Sequence, residues 1–427
     1  MRVIHEPAST QHSLPQIEIE KDRYPEGGLK AWSVVLGAWC AMIPSMGLLN
    51  SLGTLQAWTS THQLNDYSES SIGWIFGAYT FFLFVGGAQF GRHMFNWDRT
   101  FVSILEFQPR CVSDASSYSL VIMICSTYTM HIVLGGISAS TLFTPPVAAV
   151  GHWFHDKRGW ATGIACTAGG IGGSVFPLII LFAAPRIGFA WAIRIIALLC
   201  ALFCSIACLT VRTRLPPKKA ATFLDFNALM DVKYASASLG VFLVEFAVFV
   251  PITYITSYAL SVGFGDQMSY ALLIFLNVGA IFGRFLPGLV ADRFGRFNVM
   301  TVNCLMCSLL TLILWLSGDL VNADSLGILI SYAVLFGFFS GAAISIAPVC
   351  ISQVCEIQDY GKRVGTTWTL VSLGTLIAIP VAGAIQQHNN GAYYGLIIFG
   401  GALYLSSAVA FAVSRGICKG WAWRTVF

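Results

Sequence analysis

Charge is scarce in this chain. Only 10% of its 427 residues are Asp, Glu, Lys or Arg, against about 25% in an ordinary soluble domain. Hydrophobic residues make up 56%, and the mean hydropathy is +0.72. A core of this size could not hide so much apolar surface from water, so lipid is the expected solvent. No secretory leader is read in the first 30 residues. Residues 1–30 are polar, with Pro, Ser, Gln and Glu, and lack an apolar segment, so they read as a disordered tail. No nucleophile elbow, phosphate loop or dinucleotide fingerprint is present. Gly169-Gly-Ile-Gly-Gly173 looks like a phosphate loop but has no lysine and lies inside an apolar run. No catalytic residue, cofactor or metal is therefore expected. Most of the twelve cysteines fall within apolar runs, where they read as small fillers and not as a disulfide framework.

What is present is a series of long apolar runs. A helical membrane span needs about 20 mainly apolar residues. The candidates are Ser33–Leu55, Ser71–Gly91, Ser119–Val150, Trp160–Ala183, Phe189–Val211, Ser236–Ser261, Ser269–Ala291, Val299–Ser317, Leu326–Pro348, Val364–Ile385 and Ala392–Val413. Ser119–Val150 is too long for one span. Bases cluster before the first run, after the second, before Trp160, between Arg212 and Lys233, at Arg293 and Arg296, at Lys362 and Arg363, and at the end of the chain. The loops between these clusters hold almost none, Arg186 being the exception. Basic loops stay in the cytoplasm. The alternation closes if Ser119–Val150 hides two spans, which gives twelve with both termini inside. The net charge of +4 is then a topology signal and does not suggest nucleic acid. Arg99–Ser117, where a third span belongs, holds Glu106, Pro109, Arg110 and Asp114, so the third span is poorly defined.

Residues 212–235, with Pro216-Pro217-Lys218-Lys219, divide two blocks of similar length. The expected organisation is a tail (1–31), an N-terminal six-helix bundle (32–211), a central cytoplasmic loop (212–235), a C-terminal six-helix bundle (236–413) and a tail (414–427). Lys157-Arg158 before one small-residue run has an echo in Lys362-Arg363 before another. Transporters built of two such halves bind their cargo between the halves at mid-membrane.

The loop Gly288-Leu-Val-Ala-Asp292-Arg293-Phe-Gly295-Arg296 resembles the signature between paired helices of the major facilitator superfamily. That resemblance implies a cytoplasmic clamp made by Gly288, Asp292, Arg293, Gly295 and Arg296, which releases during transport. In the first half, Phe95 stands where the second loop has Asp292. Tyr24-Pro-Glu-Gly-Gly28-Leu-Lys-Ala-Trp32, and His152 to Gly173 with Lys157-Arg158 and Gly163, Gly169 and Gly173, resemble the two signatures of the monocarboxylate transporter-like family. Pro185-Arg-Ile-Gly-Phe-Ala-Trp191 resembles its fungal branch. Gly163, Gly169 and Gly173 stand at near-helical spacing and serve close helix packing.

Two charges lie inside the expected membrane, where each costs about 2.5–3.5 kcal/mol on insertion scales. The same resemblance implies that Arg284 stands at the substrate-anion arginine of the monocarboxylate carriers, where a guanidinium can hold a carboxylate by two hydrogen bonds; the alternative is that it snorkels to the inner interface. Glu245 lies at a similar depth and is a candidate proton carrier or ion-pair partner. The carriers' coupling lysine and acid are replaced by Asn50 and Ala280, so coupling by the usual pair is not expected. Asn50 and Asn277 are candidate substrate contacts or buried packing partners. The fold class is thus an all-α membrane protein of twelve spans. It is expected to be a monomer in lipid, in the cell membrane, moving a small organic anion or metabolite with or without a co-transported proton. Metabolite export is one alternative, and a non-transporting sensor is another.

Overall fold

The computed structural model describes residues 25–62, 64–90, 120–154, 157–212, 224–320, 326–355 and 360–420, which form helices joined by turns. In chain order these are α1 (Leu29–Asn50), α2 (Leu52–His62), α3 (Glu69–Phe90), α4 (Leu120–Gly151), α5 (Arg158–Ile187) and α6 (Phe189–Thr210). The second set is α7 (Val232–Ser261), α8 (Asp266–Phe294), α9 (Arg296–Asp319), α10 (Leu326–Gln353), α11 (Tyr360–His388) and α12 (Tyr394–Lys419). Among the described residues, nine helices are long and apolar enough to cross a membrane.

The first span is discontinuous. Pro44 has no N–H for the helix ladder, and the chain passes it through a π-turn at Ile43–Gly47. At Ser51 the backbone leaves helical geometry, with φ −99 and ψ −1, and α2 begins afresh. The Ser51 hydroxyl donates to the Gly47 carbonyl at 2.7 Å, satisfying an acceptor that the break releases. Breaks of this kind survive in lipid only where neighbouring protein meets the freed groups.

One expectation is corrected. Ser119–Val150 does not hide two spans. Leu120–Gly151 is a single helix of 32 residues, about 48 Å long. Each half of it would fall short of the roughly 30 Å hydrocarbon layer, and the Gly135-Gly136 pair does not turn the chain. Gly136 instead lets α4 settle against Tyr79 and Phe82 of α3. Further along, Phe84 of α3 and Phe143 of α4 both reach Trp368, so α3 and α4 run in the same direction. The third span expected between them lies outside the described residues, as does Phe95.

Helices α1–α6 meet α7–α12 along two seams, α5 against α8 and α3 against α11. Additional contact comes from α2, which packs on the far half of α7. There Gly53 abuts the Ile252 and Thr253 carbonyls. One end of the molecule, where α4 meets α5, α8 meets α9 and α10 meets α11, carries Lys157, Arg158, Arg293, Arg296, Lys362 and Arg363. At the other end Arg194 lies 4.7 Å from the Trp191 ring, as an interfacial anchor does.

Candidate functional site

The α5–α8 seam gathers the polar residues singled out in the sequence. Arg284 of α8 is 3% exposed. Its Nη1 donates to the Cys166 carbonyl of α5 at 3.1 Å, and its Nε has no partner. The guanidinium lies over Gly169, where a methyl group would stand 2.6 Å from Nη1, 2.7 Å from Met46 Cβ and 3.1 Å from Asn50 Nδ2. Gly169 therefore does more than allow helix packing; it makes the seat of the arginine.

Asn50 and Asn277 meet on the same face of α5. Asn50 Nδ2 donates to the Gly169 carbonyl at 2.9 Å. Asn277 Nδ2 donates to the carbonyls of Gly173 at 2.9 Å and Asn50 at 3.3 Å. The freed main chain next to Ser51 thus receives a donor from the opposite half. Both amide nitrogens are committed to tying α1 and α8 to α5, while Asn277 Oδ1 is buried without a partner. A methyl at Gly173 would lie 2.5 Å from that oxygen. Gly163 has the simpler role, since a methyl there would lie 2.7 Å from the Arg284 main-chain oxygen.

Glu245 of α7 is fully buried, and neither carboxyl oxygen has a hydrogen-bond partner. It lies in the field of Arg284, but no ion pair joins them. The expected pairing across adjacent helices is thus absent. Both charges need an interior partner, because an unpaired buried charge is costly.

The α3–α11 seam is aromatic. Phe84 stacks on Trp368 across it, with centroids 5.0 Å apart and ring planes at 6°. Phe249 of α7 meets Phe84 edge-on at 6.4 Å, and Phe143 of α4 meets Trp368 edge-on at 6.0 Å. Sequence reasoning missed this cluster, since phenylalanine in an apolar run carries no mark of facing a seam rather than lipid.

At the basic end, Asp292 pairs with Arg296 at 3.6 Å, one turn on, across Gly295 at φ 93. This pair is local. The contact between halves is made by the carboxylate itself, which overlies Gly159 in the first turn of α5: a methyl there would lie 2.9 Å from Oδ2. An acid is unfavourable in the last turn of its own helix but favourable at another helix's N-terminus. Gly288 approaches the Gly159 carbonyl, at 3.2 Å from its Cβ position. Arg293 is exposed and joins no ion pair among the described residues. It stands about 100° round the helix from Asp292.

Two further acids were missed. Glu26 Oε2 accepts from the Lys157 main-chain N–H at 3.3 Å, at the N-terminus of α5. Glu26 takes φ 47 to do so, and Trp32 packs beside it on Phe154 and Trp160, both at 5.3 Å. In the other half Asp231 caps α7 and pairs with Arg363 at 3.9 Å, at the start of α11. The echo between Lys157-Arg158 and Lys362-Arg363 thus extends to an acid just before the first helix of each half. Glu26 stands in the Tyr24–Trp32 motif, but nothing in the sequence there marks Lys157 as its partner.

Cys304 and Cys307 stand at C-x-x-C spacing inside α9, and Cys304 lies 3.6 Å from Ser407. Among the described residues no group of three or more His, Cys, Asp or Glu could hold a metal ion.

Comparison with known proteins agrees with this architecture. The family model described as Major Facilitator Superfamily matches residues 34–378. MFS-type transporter 1 of Ophiocordyceps sp. is 35% identical, over 93% of this chain and 87% of that protein. The riboflavin transporter MCH5 of Saccharomyces cerevisiae is 31% identical over 95% of this chain and 81% of that protein. The fujikurins efflux protein of Gibberella fujikuroi is 31% identical over 96% and 88%. Among solved structures, the human organic anion transporter MFSD10 superposes with a TM-score of 0.63 at 17% identity, covering 90% of this chain and 98% of that one. That likeness concerns the fold alone.

Proposed function

The chain belongs to the major facilitator superfamily, and on that premise we propose that it carries a small organic anion across the cell membrane by alternating access, with the anion held on Arg284. It is a multi-pass membrane transporter of a small organic solute; the anion, the site and the membrane are the proposal. The observation that carries it is the guanidinium itself. A permanent cation is buried at the level where the first span breaks, between three helices of both halves, with Nε unpartnered and no carboxylate in contact. A cation so placed in lipid is seldom idle, and a planar fork suits a carboxylate. Asn277 Oδ1 adds an unpartnered acceptor to the same seam.

Glu245 is the proposed proton carrier. A buried carboxyl with both oxygens unpartnered needs a proton or a cation to stay there. Arrival of an anion at Arg284 removes the nearest positive charge that Glu245 feels, so anion and proton load together. The basic end is proposed to face the cytoplasm, as basic loops do. The direction of net flow follows the gradients. Export is favoured by relatives such as the fujikurins efflux protein.

The test is flux of a panel of metabolite carboxylates in proteoliposomes under an imposed pH gradient. Arg284→Lys keeps the charge but loses the fork. Apparent affinity is expected to fall by about 1–3 kcal/mol, the worth of a hydrogen bond to a charged group. Unchanged affinity in both Arg284→Lys and Arg284→Ala would show that the arginine serves the seam alone.

A further inference from the structure

The two seams between the halves differ in chemistry, and a cargo lying between them meets both. One seam offers a guanidinium, a carboxamide oxygen and main-chain carbonyls. The other offers ring faces and edges from four helices: Phe84, Phe143, Phe249 and Trp368, each no more than 5% exposed. We propose that the transported anion is an aromatic carboxylate, its acid group on Arg284 and its ring received by the Phe84–Trp368 seam. This rests on the reading that Arg284 holds the anion.

The geometry argues for a ring site and not only for dry packing. Aliphatic side chains would seal a seam as well and place fewer demands on orientation. Here Phe84 and Trp368 belong to opposite halves yet lie parallel within 6°, while Phe249 and Phe143 stand edge-on around them, at 79° and 83°. That is the offset-stacked and edge-to-face arrangement that aromatic quadrupoles favour. Alternating access requires the halves to move against each other. A stack that spans the seam is broken and remade with each cycle, and while it is parted it presents two facing ring surfaces. A planar ring can occupy that gap and restore both stacks; a saturated ring cannot lie flat in it.

The two seams border one interior. Phe249 stands one turn beyond Glu245 on the same face of α7, and Glu245 lies in the field of Arg284. A molecule with its carboxylate on the arginine therefore extends past Glu245 toward Phe249 and the stack.

Matched acids test this on purified full-length protein in detergent, with binding read by calorimetry. The probes are 2-naphthoate, its fully saturated decalin counterpart and neutral 2-naphthamide. Wild type is expected to bind 2-naphthoate roughly three- to tenfold more tightly than the saturated acid, the worth of one well-placed aromatic pair, and the amide much more weakly than either. Trp368→Leu should abolish the preference while leaving the saturated acid within about twofold, and Phe84→Leu serves if that variant does not fold. Arg284→Gln should weaken both acids alike. Equal binding of the aromatic and saturated acids by wild type overturns the aromatic proposal and leaves the arginine reading standing. A preference that survives both aromatic substitutions also overturns it. Acid binding untouched in Arg284→Gln overturns the arginine reading instead, and absence of binding by every acid overturns both.

Discussion

A methyl group on Gly169 would press at once on Arg284, Met46 and Asn50, whereas one on Gly163 would press on main chain. The same substitution should therefore read differently at two glycines two turns apart. Gly169→Ala is expected to lower anion affinity about tenfold, because a guanidinium displaced by a fraction of an ångström loses its aligned fork. Expression should fall less than in Gly163→Ala, since Arg284 Nη1 and Asn50 Nδ2 can turn aside and only Met46 Cβ requires a small shift of α1. Gly163→Ala, with rigid backbone opposite, is expected to destabilise the fold by about 1–3 kcal/mol as overpacking does. Binding and thermal unfolding of the two variants side by side separate the outcomes, and equal effects on both readouts would remove the special role of Gly169. Glu245→Gln is expected to leave binding intact and make flux indifferent to an imposed pH gradient; continued pH-driven flux would place the proton elsewhere. At this scale Arg284 and Glu245 were legible because a charge stands out in an apolar run. The role of the asparagines was not, because Asn277 reaches a carbonyl 227 positions away. The aromatic seam was hidden among 31 phenylalanines, most of which satisfy lipid or core equally well.

Elements are tied at the basic end by acids on helix N-termini, in two grades. Glu26 and Asp231 each bind the fifth helix of their own half to the segment preceding its first helix, and so brace a half within itself. Asp292 overlies the start of α5 from the other half, and as the proposed gate it leaves when that end opens. Asp292→Asn should therefore slow turnover while leaving surface amount unchanged, and normal turnover in that variant would remove it from the gate. Glu26→Gln and Asp231→Asn should each cost about 0.3–1 kcal/mol of stability, the range of a charge at a helix terminus. They lie in different halves, so the double variant should show the sum. A double variant no less stable than either single would mean that the braces are not independent. The clamp loop was readable because charged, glycine-marked residues interrupt apolar runs. Span counting failed at α4 because the length of the run and the alternation of basic loops both pointed to a turn inside it, when a helix is free to project beyond the hydrocarbon. The break at Ser51 had a sequence signal in Pro44 and Gly47, which departs from the steady composition of the run, but only the placement of Asn277 opposite it gives the break a meaning.

For the molecule as a whole, the bases gathered at one end predict orientation. A cysteine placed at Lys362 should react with a membrane-impermeant thiol reagent only after the membrane is opened, when measured on the cysteine-free protein; ready labelling on intact cells would invert the topology. The proposed transport cycle rests on a buried cation that carries an anion between two unlike seams. The most direct measurement is counterflow of a radiolabelled carboxylate in proteoliposomes preloaded with the unlabelled acid, for wild type and Arg284→Gln, with the exposed Arg186→Gln as control. Wild type and the control should accumulate label transiently to the same height, and Arg284→Gln should stay at the level of empty liposomes while remaining folded by thermal melt. Counterflow in Arg284→Gln equal to wild type would contradict the account.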